Sequence, residues 1–239
     1  RFVRPERLYG NEGDQRPSFL ISHRFVKTLS AAKRRGFFFA CARAMPLVRT
    51  ITRSPLAPDH FPALPAISGV TPRVARARYK EWDRCDLTFV ELTEGTSVAG
   101  VFTRNVCCSS EVEMGREQVR LGQARALIVN AGNSNAFTGY RGREAVEQIM
   151  GQVASALGCQ PSDVFVSSTG VIGVPLPKDK AQAGVDAALT AEPCSWEDAA
   201  HAICTTDTFA KGASASAVIG GKTVQVAGIV KGSGMIAPD

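Results

Sequence analysis

Apolar and polar positions alternate in short, distinct patterns over most of the chain. Residues 86–92 alternate with a period of two, which predicts a strand showing Leu87, Phe89 and Glu91 on one face. Residues 98–103 predict a second strand, and Gly95 between the two predicts a hairpin. The apolar run 126–130 predicts a buried strand that breaks into a polar loop carrying Asn133 and Asn135. Val146, Ile149, Met150, Val153 and Leu157 recur at helical spacing and predict a helix ending at Gly158. Residues 164–166 predict a strand running into Ser167, Ser168, Thr169 and Gly170. Ser195, with Asp198 three residues on, predicts a capping box and a helix to about Cys204. Residues 216–230 alternate around Gly220 and Gly221, which predicts a hairpin leading to Lys231 and Gly232. Strands and helices mix without strict alternation, so the expected class is α+β with mixed sheets and flanking helices, not a doubly wound fold.

Upstream the pattern changes. Pro55, Pro58, Pro62, Pro65 and Pro72 read as an extended linker over 55–72. Residues 1–58 carry 12 Lys+Arg against 3 Asp+Glu, and residues 59–239 carry 16 against 19, so the net charge of +6 arises in the leader. The basic balance therefore gives no reason to expect nucleic-acid binding by the folded part. No acidic residue lies between Asp14 and Asp59, while arginines, serines and threonines are frequent there. That composition is the one of an organellar transit peptide, so residues 1–58 are expected to direct the protein to the mitochondrial matrix, with a plastid as the alternative; a secretory signal, cut short by Arg43, and an untranslated extension are the competing readings. Met45 is a candidate start within this leader. No apolar run has the length of about 20 residues that spans a bilayer, so no membrane partner is expected.

The 7 cysteines are odd in number and form no Cys-x-x-Cys pair, and the 3 histidines are scattered. Neither a disulfide framework nor a zinc site is indicated. Gly221-Lys222-Thr223 lacks the upstream glycine of a phosphate loop, because that position is Ser216, and reads as a hairpin turn. Ser168-Thr169-Gly170 at a strand end can aim a hydroxyl and a backbone N–H at one point, as an oxyanion requires, or can be a turn. Thr205 and its neighbours at a helix exit can bind a polar ligand or satisfy free helix carbonyls. Lys231 before Gly232 can meet a carboxylate or be a solvated lysine. Asn130, Asn133 and Asn135 can line a polar pocket or stabilise a turn.

Taken together and in order, these strings are more specific. Residues 130–136, then 168–177, then 205–208, then 231–238 resemble the ornithine acetyltransferase family, as does Gly100-Val101-Phe102-Thr103-Arg104-Asn105. The resemblance covers about 69–239 and excludes the leader. It implies an α/β sandwich of the DmpA/ornithine acetyltransferase type. It also implies a precursor that cleaves itself before a threonine, which then acts as an N-terminal nucleophile. The reaction implied is transfer of acetyl from N-acetylornithine to that threonine and on to glutamate, in arginine biosynthesis. Acetyl-CoA is a co-substrate of some members, and no metal or bound cofactor is implied. Matched by motif, Thr169 and Gly170 form the oxyanion hole, and Thr205 and Lys231 bind substrate, with Thr206 as the neighbouring choice. The expected partner is a C-terminal chain carrying the nucleophile, so residues 59–239 are expected to be inactive alone. The competing readings are an N-terminal-nucleophile aminopeptidase or amidase, and a non-catalytic fragment.

Overall fold

The computed structural model describes residues 52–233. Most of the basic leader, and the last part of the 231–238 string, lie outside the described residues. Four strands form one sheet in the order β1 (Val70–Ala75), β2 (Leu87–Leu92), β3 (Ala126–Asn133) and β4 (Val164–Val171). The first two pairings are antiparallel and β3–β4 is parallel, so the sheet is mixed, as expected. The parallel pair is joined by α2 (Gly139–Leu157), the crossover such a pair requires. The α2 helix ends at Gly158, whose φ of 64° makes the left-handed cap that glycine favours.

Leu87 and Phe89 point into a core with Ile128, Val164, Val166 and the apolar face of α2. Ala181, Val185 and Ala188 of α3 (Lys178–Thr190) close the same core. Thr88 turns the other way, and its hydroxyl donates to Ala199 O of α4 (Trp196–Ala202) at 3.4 Å. With helices meeting both faces, β2 is buried along most of its length. The predicted capping box of α4 is present in full: Ser195 Oγ accepts from Asp198 N–H, and the Asp198 carboxylate accepts from Ser195 N–H. β5 (Lys211–Ile219) and β6 (Lys222–Val230) form the predicted hairpin around Gly220 and Gly221, both at positive φ. No helix follows Lys222, which rules out a phosphate loop there.

Two expectations are corrected. Residues 98–103 form no strand. Both edges of β2 are occupied, by β1 and by β3, so the chain leaving the Gly95 turn finds only an isolated bridge at Ser97–Gln123. Val101 is fully exposed, and Phe102 instead lies against Gly115 of α1 (Ser110–Gln118), where Arg116 donates to Thr103 O. The end of the proline-rich stretch, in turn, is a strand. Pro72 sits in β1, and an edge strand tolerates a residue without an N–H donor.

Candidate active site

The parallel strands β3 and β4 finish side by side, and their last residues are irregular. Asn133 pairs with both Thr169 and Val171, a register shift that makes a bulge. Gly132 and Gly170 face each other across it, with φ of 110° and 136°. A Cβ on Gly170 would overlap the Gly132 carbonyl carbon. Only glycine fits, and the close approach turns Thr169 out at the strand end.

The α4 helix delivers the second segment. Its C-terminal carbonyls are gathered by Arg84, whose guanidinium donates to His201 O at 3.1 Å, Ala202 O at 3.3 Å and Cys204 O. The same guanidinium stacks 4.2 Å over the Trp82 ring. Arg84 thus does what the helix-exit hydroxyls were one candidate to do, and Thr205 is left to turn inward. Thr206 is exposed.

Lys231, at the exit of β6, joins the two. Its Nζ donates to Thr169 Oγ1 and to Thr205 Oγ1, each at 2.7 Å. Three of the four predicted site residues are therefore in direct contact, and Gly170 adjoins the first of them. No described carboxylate lies within ion-pair distance of Lys231. An ammonium has three donors, and two are used here. Each threonine accepts from Lys231, which leaves its own proton to donate elsewhere.

Asp207 locks the arrangement from beneath. Its Oδ1 accepts from Gly232 N–H at 2.7 Å and from Lys211 Nζ at 3.0 Å, and its Oδ2 accepts from Thr205 N–H at 3.2 Å. Burial alone would raise this carboxyl, but the Gly232, Lys211 and Thr205 hydrogen bonds and the Lys211 charge bring it below the ordinary range. Lys211 also lies 4.4 Å over the Phe209 ring. Sequence reasoning singled out neither Asp207 nor Arg84. Neither carried a local signal in the sequence.

The asparagines serve the turn, and Asn135 also borders a small cavity with Ser109, Thr138 and Tyr140. Asn133 Nδ2 donates to Val174 O at 3.0 Å, and Asn135 Nδ2 to Gly142 O at 3.0 Å. Asn135 has a φ of 50°, the left-handed conformation asparagine tolerates. Asn130 reaches across to β4 and accepts from Ser168 Oγ at 2.7 Å.

A mixed sheet flanked by helices defines an α+β protein, and two hydroxyls and an ammonium meet where its parallel strand pair ends. The ArgJ family model matches residues 72–239, and the chain belongs to that family. It is 55% identical over 186 residues to the arginine biosynthesis bifunctional protein ArgJ of Zymomonas mobilis, covering 78% of this chain and 46% of the relative. To the protein of that name from Agrobacterium fabrum it is 45% identical over 192 residues, covering 80% and 46%. The chain spans about half the length of the curated relatives it matches. Among solved structures, it superposes on the bifunctional protein of Bacillus halodurans with a TM-score of 0.67 at 32% identity, over 72% of this chain and 91% of that one. A Mycobacterium tuberculosis ornithine acetyltransferase, solved with ornithine, gives a TM-score of 0.65 at 33% identity, over 72% and 92%.

Proposed function

We propose that this chain is one part of an acetyltransferase of arginine biosynthesis, supplying its oxyanion hole and part of its substrate site. The acetyl group moves from N-acetylornithine to a threonine hydroxyl on the C-terminal part of the protein, and from there to glutamate. In each half-reaction a tetrahedral oxyanion forms, and the Thr169 hydroxyl and the Gly170 N–H donate to it. The carrying observation is the Lys231 ammonium between the Thr169 and Thr205 hydroxyls. That contact leaves each hydroxyl its own proton to donate and sets a positive charge beside both, and donors of this kind act strongly on an oxyanion because they are fixed before the reaction. The third Lys231 donor meets a carboxylate of the amino-acid substrate.

Two observations support a second chain as partner. The solved relatives are covered almost completely, at 91% and 92%, whereas the curated relatives are covered to 46%. The solved chains are thus near this one in length and about half as long as the curated relatives. The hairpin supplies the other. By register, Ile219, Val224, Val226 and Val230 share one face with Ala213, Ala215 and Ala217. These four large side chains are 41–63% exposed. The opposite face meets the 61–64 segment, with Ser214 donating to Ala63 O and Gly212 against Phe61. A two-stranded ribbon with an open apolar face is poorly stable alone and asks for a covering layer.

The test is acetyl transfer from N-acetylornithine to glutamate by the chain extended to the length of its relatives. Thr169→Val is expected to lower kcat by about 10²–10³-fold. The chain ending at Asp239 is expected to transfer nothing by itself. Release of free acetate at a rate indifferent to glutamate would replace this reading with an amidase. Import into isolated mitochondria of a fusion carrying residues 1–58 tests the proposed matrix location.

A further inference from the structure

The β5–β6 hairpin brings two lysines to one end. Lys231 follows Val230, the last residue of β6, and Val230 pairs with Lys211, the first residue of β5. The Asp207 side chain is fully buried, and among the described residues Lys211 is its one ion-pair partner, at 3.0 Å. Lys231 meets no described carboxylate, although its neighbour Gly232 donates to the same Asp207 oxygen as Lys211 does. Thr205 stands between the two charges: its N–H donates to Asp207 Oδ2, and its hydroxyl accepts from Lys231.

A carboxylate taken out of water needs a cation beside it. Lys211 is fixed in that place at three points: on Asp207 Oδ1, on Phe209 O at 3.2 Å, and over the Phe209 ring at 4.4 Å. The Arg84 guanidinium, on the nearby Cys204 carbonyl, is committed to the end of α4. Lys231 is held less firmly, because its partners are two neutral hydroxyls and its stem is flexible. Where water is excluded, attraction to an opposite charge outweighs a hydrogen bond to a neutral hydroxyl. Left without Lys211, Asp207 would therefore draw Lys231 off Thr169 and Thr205.

We propose that Lys211 is a positioning residue. By occupying Asp207 it keeps the Lys231 ammonium unpaired, on the Thr169 and Thr205 hydroxyls and free to take the carboxylate of an amino-acid substrate. Two lysines beside one carboxylate leave a single surplus positive charge, which suits one substrate carboxylate. The role rests on the reading of Lys231 as the partner of that carboxylate.

Acetyl transfer to glutamate by the extended chain tests this with two donors: N-acetylornithine, and N-acetylputrescine, the same molecule without its carboxylate. The readout is the ratio of their kcat/KM values, which does not depend on how much of a variant folds. Wild type is expected to favour N-acetylornithine. Lys211→Met keeps an apolar stem over the Phe209 ring and removes the charge. It is expected to lower the ratio about tenfold or more, the scale of a hydrogen bond to a charged group. Lys211→Arg returns a cation to Asp207 and is expected to keep the ratio within about threefold of wild type. Should Lys211→Met yield no active protein, Lys211→Gln, which leaves Asp207 a neutral donor, is expected to lower the ratio in its place. A ratio unchanged by loss of the charge, with both donors slowed alike, would overturn the proposal. So would a lowered ratio that Lys211→Arg fails to restore. Failure of the underlying reading shows separately, in wild type: no transfer from N-acetylornithine, or equal kcat/KM for the two donors, removes the contact of Lys231 with a carboxylate and the proposal with it.

Discussion

At the scale of single residues, the site depends on a carboxylate that sequence reasoning did not single out. Asp207 accepts from the backbone on both sides of the cluster, at Thr205 and at Gly232, and from Lys211. Its folded-state carboxyl titrates below the ordinary range. The stability it contributes is thus fully present above the ordinary carboxylate pKa and is lost as pH falls through the lowered value. Asp207→Asn is expected to cost about 2 kcal/mol near neutral pH, the scale of hydrogen bonds to a charged group. In acid the cost shrinks, because the wild-type carboxylate is then protonated as well. Urea midpoints at the two pH values check this, and an equal gap at both would assign the loss to packing. Nothing in the sequence marks Asp207 over the Thr206 and Thr208 hydroxyls beside it, because what distinguishes it is the backbone of a segment 25 residues away.

At the scale of elements, α4 shows what a sequence carries and what it does not. Its N-terminal cap is local, within four residues, and was readable as Ser195 with Asp198. Its C-terminal cap comes from Arg84, 117 to 120 positions upstream, and no local pattern announces it. Arg84→Lys replaces a planar fork by a point charge and is expected to cost about 1–2 kcal/mol. Hydrogen exchange should quicken at the 203–207 amides while α2 stays protected; uniform quickening would mean a global effect instead. The same division runs through the fold. The α2 helix and the β5–β6 hairpin follow their own apolar periods and turn glycines and were legible. The α3 helix buries alanine and glycine, and α1 buries Glu111, Gly115 and Gln118, so neither shows a clear apolar stripe. The pairing of β2 was misread because alternation identifies a strand and leaves its neighbours unnamed. Thr169, Thr205 and Lys231 were singled out on motif order, and the structure brings them into contact, which was not foreseeable from spacing.

At the scale of the whole molecule, the open face of the hairpin is the feature that separates this chain from a finished globule. Val224→Thr with Val226→Thr is expected to change the stability of the chain alone by no more than about 0.5 kcal/mol, as exposed substitutions do. Co-purification of the proposed C-terminal partner should fall, and unchanged recovery would place the contact elsewhere. The cluster has a further consequence, for the order in which the protein folds. Lys231 meets Thr169 across 62 residues and Thr205 across 26, and such distant contacts must await the closing of the loops between them. On the ribosome, the strands and helices that hold Thr169 and Thr205 emerge first, and the second arm of the hairpin brings the ammonium after them. The two hydroxyls have no ammonium between them until that arm docks, so the cluster cannot assemble before synthesis has passed this point.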